Sequence, residues 1–292
     1  MPQQKVWFIT GSSRGLGRAL ATAALEAGDL AVATARRPAQ LAALADRYGE
    51  HIAPVALDVT DAAGARTAIE QAVARFGRIN VLVNNAGYAN VSPIEATTDE
   101  DFRTQFETNF WGVYNVSKAA IPQLRKQGGG LVVQFSSVGG RVGGSPGIAS
   151  YQAAKFAVDG FSRVVAIETA PFGVKVMVVE PSGFATDWAG SSMVVHEIPE
   201  EYQQTVGAMN SRMRQTGNRP AGDPERAAQI IVQVAGRENP PSHLLLGVAA
   251  FEMSQQNSRA QLVEAQAWER VSRSADFGQP FPVELPPDTP PA

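Results

Sequence analysis

A tyrosine and a lysine stand four residues apart in Ser150-Tyr151-Gln152-Ala153-Ala154-Lys155. On a helix, positions i and i+4 share a face, so the ammonium would lie one turn from the phenol. A free phenol titrates at about pH 10, too high for easy proton exchange near neutrality. A nearby positive charge favours the phenolate and lowers that value. The pair therefore suits proton transfer to or from an oxygen. The same spacing also suits a tyrosine packed on a helix while a lysine carries its charge past it to water.

A second group of residues with chemical potential lies near the N-terminus. An apolar run leads into Thr10-Gly11-Ser12-Ser13-Arg14-Gly15-Leu16-Gly17, and a helical pattern follows. Strand, glycine-rich turn and helix form the context of a dinucleotide site. Glycines permit the tight turn and the approach of backbone N–H groups to a diphosphate. The helix N-terminus adds unpaired donors and partial positive charge. The spacing is G-x-x-x-G-x-G rather than G-x-G-x-x-G. The second apolar run ends Ala33-Thr34-Ala35-Arg36-Arg37. NAD sites place an acid near here for the ribose 2′-hydroxyl. This chain offers Arg36, with Arg14 in reach from the glycine turn, and guanidinium groups pair with a 2′-phosphate instead. The expected cofactor is therefore NADP(H) in preference to NAD(H). Asp58, beside Val59 at the end of the third run, is placed to accept from the adenine amino group. Asn85, Ala86 and Gly87 close the fourth run in the same crevice.

These groups need a scaffold that gathers strand ends. Seven apolar runs recur, at Val6–Thr10, Leu30–Ala35, Ile52–Leu57, Ile79–Asn84, Leu131–Ser136, Val174–Glu180 and Leu244–Gly247. Most do not alternate with polar residues, as expected of strands covered on both faces. Helical patterns lie between them at Leu16–Ala27, Gly64–Phe76, Asp99–Lys126, Tyr151–Pro171 and Pro224–Ala235. Strand alternating with helix predicts an α/β fold with a doubly wound parallel sheet of about seven strands. A single domain over residues 1–275 is expected. Within it, the long segment 184–220, with Trp188 and Met193, reads as a substrate lid. Glu252–Ser272 is a further helix candidate. Residues 276–292 contain six prolines and read as an extended tail.

Composition excludes other classes. The 292 residues are 44% hydrophobic and 18% charged, enough for a large core and against global disorder. A net charge of -3 gives no general attraction to nucleic acid or anionic membrane. The absence of cysteine removes disulfides, thiolate catalysis and cysteine metal sites. No apolar leader or stretch of about 20 apolar residues is present, so a soluble, cytoplasmic protein is expected. His51, His196 and His243 are scattered, and Asp46, Asp61 and Asp99-Glu100-Asp101 read as caps and solvated faces. No metal site is expected.

TGSSRGLG, NNAG, NFWG, SSVGG, YQAAK and EPSGFAT occur in this order over roughly residues 5–250. Together they resemble the short-chain dehydrogenase/reductase family, most closely its ketoreductase and hydroxysteroid-dehydrogenase-like members. The resemblance implies a Rossmann-type fold, a nicotinamide cofactor and an Asn-Ser-Tyr-Lys site. Tyr151 would then be the acid/base, with Lys155 tuning it and holding the nicotinamide ribose. Ser137 would position the substrate oxygen, with Ser136 the runner-up. The family serine usually lies thirteen residues before the tyrosine; Ser137 lies fourteen before, and Val138 occupies the usual position. The glycine-rich run 139–147 reads as the loop that absorbs the extra residue. Asn109 matches the asparagine that kinks its helix and holds a water, and Trp111 beside it reads as core. Pro181, Gly183 and Thr186 match the segment that binds the carboxamide and diphosphate, although Ser182 interrupts the pattern.

The implied function is carbonyl reduction or its reverse on a ketone, aldehyde or secondary alcohol, in a homo-oligomer (dimer or tetramer). The alternatives are a dedicated 3-oxoacyl-thioester or steroid reductase and a non-catalytic NADP-sensing regulator.

Overall fold

The seven apolar runs pair side by side, all in parallel. In the computed structural model, residues 4–186, 193–217 and 222–287 are described. The strands are β1 (Val6–Ile9), β2 (Leu30–Ala35), β3 (Ile52–Ala56), β4 (Val81–Asn84), β5 (Asn90–Val91), β6 (Gly130–Phe135), β7 (Val174–Pro181), β8 (Val194–Val195) and β9 (His243–Leu246). Seven of them form one sheet in the order β3-β2-β1-β4-β6-β7-β9. Phe8, Val32, Leu82, Val132 and Val178 are buried within it, as a sheet covered on both faces requires.

The helices are α1 (Gly15–Glu26), α2 (Ala42–Tyr48), α3 (Ala62–Phe76), α4 (Asp99–Phe106), α5 (Gly112–Lys126), α6 (Gly139–Val142), α7 (Ala149–Thr169), α8 (Ala208–Gly217), α9 (Pro224–Ala235), α10 (Val248–Ala267) and α11 (Glu269–Arg273). Leu20 and Ala24 of α1 and Ile231 of α9 share one core with β1, β4, β6 and β7. Ile69 of α3 and Val116 and Leu124 of α5 fill the opposite face. Several helices begin on chemistry visible in the sequence. Asp61 accepts from Ala63 N to cap α3, and Thr98 accepts from Asp101 N to cap α4. Asp223 accepts from Glu225 N and Arg226 N to cap α9, with Pro224 in its first turn.

The strand order reverses between β1 and β4, and such a switch point opens a crevice beyond the strand ends. Thr10 binds its two sides together. Its hydroxyl accepts from Asn85 N at 2.9 Å and Ala86 N at 3.1 Å and donates to Val83 O at 3.2 Å. Asn85 Nδ2 donates to Thr10 O and Gly11 O at 3.0 and 3.2 Å. The glycine turn therefore packs backbone against backbone on the end of β4. A Cβ on Gly11 would stand 2.9 Å from Ala86 Cα.

Four local readings change. The pattern at 99–126 is two helices, α4 and α5, joined by a π-helical run at Glu107–Trp111. Trp111 is exposed rather than core. It lies two residues beyond the buried Asn109, on the other side of the helix. The segment 184–220 is structured where it is described: β8 pairs with β5, and α8 follows. Trp188 lies outside the described residues, as do the rest of 187–192 and 218–221. The last helical region begins at Val248, four residues earlier than expected, and breaks between α10 and α11. No helix among the described residues is long and apolar enough to cross a membrane.

A Cβ at Gly17 would overlap Asn85 Nδ2 and Gly11 O. Gly17→Ala is expected to lower stability by about 1–3 kcal/mol through overpacking. Urea denaturation measures this, and a wild-type midpoint would contradict it.

Candidate active site

Strand β6 delivers two serines to opposite sides. Ser136 N donates to Val179 O at 2.9 Å and Val138 N to Pro181 O at 3.1 Å, so the chain stays extended along β7 past Phe135. Extended backbone turns successive side chains to opposite faces. Ser136 Oγ is buried and donates to Lys155 O at 3.0 Å, which makes it a packing group. Ser137 Oγ hydrogen-bonds the Tyr151 hydroxyl and accepts from Gly139 N at 3.0 Å. Of the two, Ser137 is the serine brought to the tyrosine. The run expected to be a flexible loop is partly wound: residues 139–142 form α6. Left-handed Gly143, Gly144 and Gly147 supply the slack after it.

Helix α7 presents Tyr151 and Lys155 on its buried face. Lys155 Nζ lies 5.6 Å from the Tyr151 ring centroid and donates to Phe135 O at 2.7 Å. Burial pushes the lysine down to about 8. Burial pushes the tyrosine up to about 12, against a downward pull from the Ser137 hydrogen bond. The expected lowering of the phenol by its lysine is therefore absent in this state. Desolvation of the enclosed phenol is the larger effect, and the Lys155 hydrogen bond is aimed at the strand rather than at the phenol. The phenol is neutral across the physiological range and stands as a proton donor.

Asn109 sits in the π-helical run, fully buried. Its Nδ2 donates to Tyr88 O and Gln105 O, both at 2.9 Å, and its Oδ1 accepts from Tyr88 N at 3.2 Å. The side chain thus pins the segment after Gly87 to the helix. A Cβ on Gly87 would stand 2.6 Å from Asn109 Oδ1, too close for any side chain, and in ordinary contact with Lys155 Nζ at 3.5 Å. Gly112, at the start of α5, is similarly close-packed on Val59, whose Cγ2 lies 2.5 Å from where a Cβ would be.

At the other end of the crevice, Gly11 and Gly15 hold positive φ angles of 68° and 55°. No side chain caps α1, so its first N–H groups face the turn without a partner in the helix. Ser12 is turned inward: its N donates to Thr34 O and its Oγ to Ile9 O. Ser13 and Leu16 are part-exposed, and Arg14 is exposed. Thr186 closes the far side, with its Cβ 3.5 Å from where a Gly15 Cβ would be. Arg36 is exposed beyond buried Ala35 and pulls down the Tyr88 phenol, which burial pushes up, so its charge acts on the crevice. Asp58 holds Thr60 through Oδ1, at 3.0 Å to N and 2.8 Å to Oγ1. Pro181 is part-buried and Gly183 is open to solvent.

Some features were not anticipated. The sequence places Thr10 in the turn and gives no sign that it is the bolt that holds it. An apolar wall stands beside Tyr151, built from Ala89, Val91, Ile148 and Val206 and backed by Met193 and Val195. Glu180, read only as a strand end, is fully buried against Arg141 at 3.0 Å. His243, read as isolated, lies 2.6 Å from Asp159. Only three-dimensional proximity reveals these pairs, because their members are distant in sequence.

A family model described as short chain dehydrogenase matches residues 5–194. An oxidoreductase of Botryotinia fuckeliana is 47% identical, over 92% of this chain and 98% of its own length. A 3-ketodihydrosphingosine reductase of Bacteroides thetaiotaomicron is 32% identical, over 84% of this chain and 88% of its own. The crystal structure of a short-chain dehydrogenase from Streptomyces avermitilis superposes with a TM-score of 0.88 at 37% identity. That match covers 94% of this chain and 100% of the other.

Lys155 has a folded value of about 8 against an ordinary 10.5. Between these the unfolded chain binds more protons than the folded one, so stability from this group rises with pH across the window. Lys155→Met removes that slope. Its stability relative to wild type is expected to be greatest at pH 7 and to shrink by about 1–3 kcal/mol toward pH 10. Urea denaturation at both pH values checks this, and a constant difference would contradict it.

Proposed function

The chain belongs to the short-chain dehydrogenase family, and from that premise we propose that it is an NADPH-dependent carbonyl reductase. The observation that carries the reading is the meeting of Ser137, Tyr151 and Lys155 at the end of β6. This meeting point shares a crevice with the glycine turn. The residues fit a nicotinamide dinucleotide. Gly11 and Gly15 form a left-handed cradle at an uncapped helix N-terminus, suited to a diphosphate. Among the described residues, the Arg14 and Arg36 side chains take part in no hydrogen bond or ion pair, which leaves them for a 2′-phosphate. Ser13, Leu16 and Thr186 complete the diphosphate side. Asp58, Val59, Asn85, Ala86 and Gly87 face the adenosine, and Pro181 and Gly183 the carboxamide.

When bound, the dihydronicotinamide supplies a hydride to the carbonyl carbon. Ser137 orients the carbonyl oxygen and hydrogen-bonds it as negative charge develops. Tyr151, neutral at physiological pH, passes its proton to that oxygen and is left as phenolate. Lys155, at about 8, exchanges protons near neutrality and is placed to stabilise and reload it. The π-helical run around Asn109 is the place for a water on this path. The reverse sequence oxidises a secondary alcohol.

The wall of Val91, Ile148 and Val206 favours a carbonyl compound with an apolar body. A long-chain ketone of the kind named for the Bacteroides relative has that chemistry. The proposed location is the cytoplasm. Exposed Trp111 on the π-helical run and Val164 and Ile167 on α7 support a homo-oligomer.

Tyr151→Phe is expected to abolish NADPH-dependent reduction of a ketone panel while NADPH affinity, read by fluorescence titration, stays within about twofold. Retained turnover would remove Tyr151 as the acid. Arg36→Ala is expected to weaken NADPH about tenfold or more and leave NADH unchanged. Equal loss for both nucleotides, or an NADH preference in wild type, would overturn the NADPH assignment.

A further inference from the structure

One enclosed charge takes no part in the proton transfer at Tyr151. Glu180 stands in β7, one residue before Pro181, with its side chain fully buried. A carboxylate is not enclosed without partners. Arg141 Nη1 reaches its two oxygens at 3.0 and 3.3 Å, coming from α6, the turn that follows Ser137. Beyond Glu180, His243 Nε2 lies 2.6 Å from Asp159 Oδ1, and Arg163 Nε holds Asp159 Oδ2 at 2.9 Å. Ligand-type atoms of Asp159, Glu180 and His243 lie within 4.8 Å of one another, a spacing a divalent cation could bridge. Two guanidinium groups already engage the two carboxylates and bring positive charge, so the cluster is a closed ion network.

We propose that the Arg141–Glu180 pair is a positioning device for the reduction assigned above: it clamps the turn that follows Ser137 onto the end of β7 and so keeps that hydroxyl in register with Tyr151. The proposal rests on that assigned reaction. Helix α6 is a single turn, too short to hold its own shape. Its inner side is seated on α7, where a Cβ at Gly140 would stand 2.6 Å from Lys155 Cβ and 2.5 Å from Ser136 Oγ. Ser137 is part of this turn, since its Oγ accepts from Gly139 N and its carbonyl accepts from Gly140 N at 2.9 Å. The bond from Val138 N to Pro181 O holds the near end of the turn. Past Val142 the chain enters left-handed Gly143 and Gly144, which offer no side-chain grip. The ion pair anchors that far end of the turn, and beyond the two glycines Gln152 Oε1 of α7 accepts from Ser145 N at 3.1 Å. It also joins the serine turn to the strand end that carries Pro181, so the two sides of the reactive end move as one body.

The double variant Arg141→Met/Glu180→Met removes the pair without leaving an orphaned charge. Arg141→Lys is the conservative control. The readouts are kcat and KM for NADPH-dependent reduction of the best ketone of a panel, NADPH affinity by fluorescence, and amide hydrogen exchange. In the double variant kcat is expected to fall about tenfold through misplacement of Ser137, with NADPH affinity unchanged. Exchange should quicken over residues 137–142, and Arg141→Lys should recover most of kcat. Wild-type kcat in the double variant overturns the clamp. So does a loss of kcat that accompanies weaker NADPH binding and faster exchange throughout the protein. If wild type reduces no ketone, the assigned reaction fails, and exchange alone decides. Unchanged protection over 137–142 in the double variant would then overturn the clamp.

Discussion

A lysine ammonium inside the protein, 2.7 Å from the carbonyl of Phe135, governs the rest of the reactive end. An enclosed ammonium needs an acceptor, and here the acceptor is the last residue of β6. To reach it, α7 must lie hard against the sheet. Small residues permit the approach: Ala154 and Ser150 are buried on the helix, and Gly140 sits where any side chain would strike Lys155. Once the helix is seated, Tyr151 one turn earlier falls opposite Ser137. Gly87 beside the lysine must remain a glycine because a Cβ there would overlap Asn109 Oδ1.

The same enclosure sets the chemistry. Water is what keeps a lysine at its ordinary value and a phenol at about 10. Without it, each group shifts toward its neutral form, the lysine down and the tyrosine up. A neutral phenol hydrogen-bonded to Ser137 is a loaded proton donor, and a lysine near 8 exchanges its proton readily at neutral pH. The sheet places this dry end and the glycine turn at one crevice. Parallel strands all finish on the same side, and their order reverses between β1 and β4. Thr10 bolts the two sides of that crevice together, which makes a small hydroxyl a structural centre.

Much of this was legible in the sequence where one physical cause acts locally. The seven strands show because a sheet covered on both faces leaves no room for alternation, as in Phe8, Val32 and Val132. The glycine turn shows because positive φ at Gly11 and Gly15 needs that residue type. The choice between Ser136 and Ser137 followed once the strand was known to stay extended past Phe135. What was not legible depends on the surroundings. The direction of the Tyr151 shift is set by enclosure, which spacing does not report. The exposure of Trp111 depends on the π-helical run in which it lies. Strands β5 and β8 are two residues each, too short for a pattern. The partners of His243 and Glu180 come from elements far away in the chain, so no window contains them.

The central claim is that this crevice reduces a carbonyl, with carbon and oxygen served from different sources. The most direct measurement follows the label when the wild-type chain, NADPH carrying deuterium at both nicotinamide C4 positions and a ketone panel are combined. The account predicts an alcohol that carries deuterium on its carbinol carbon. If no ketone is reduced, or the carbinol carbon carries no label, the account is contradicted.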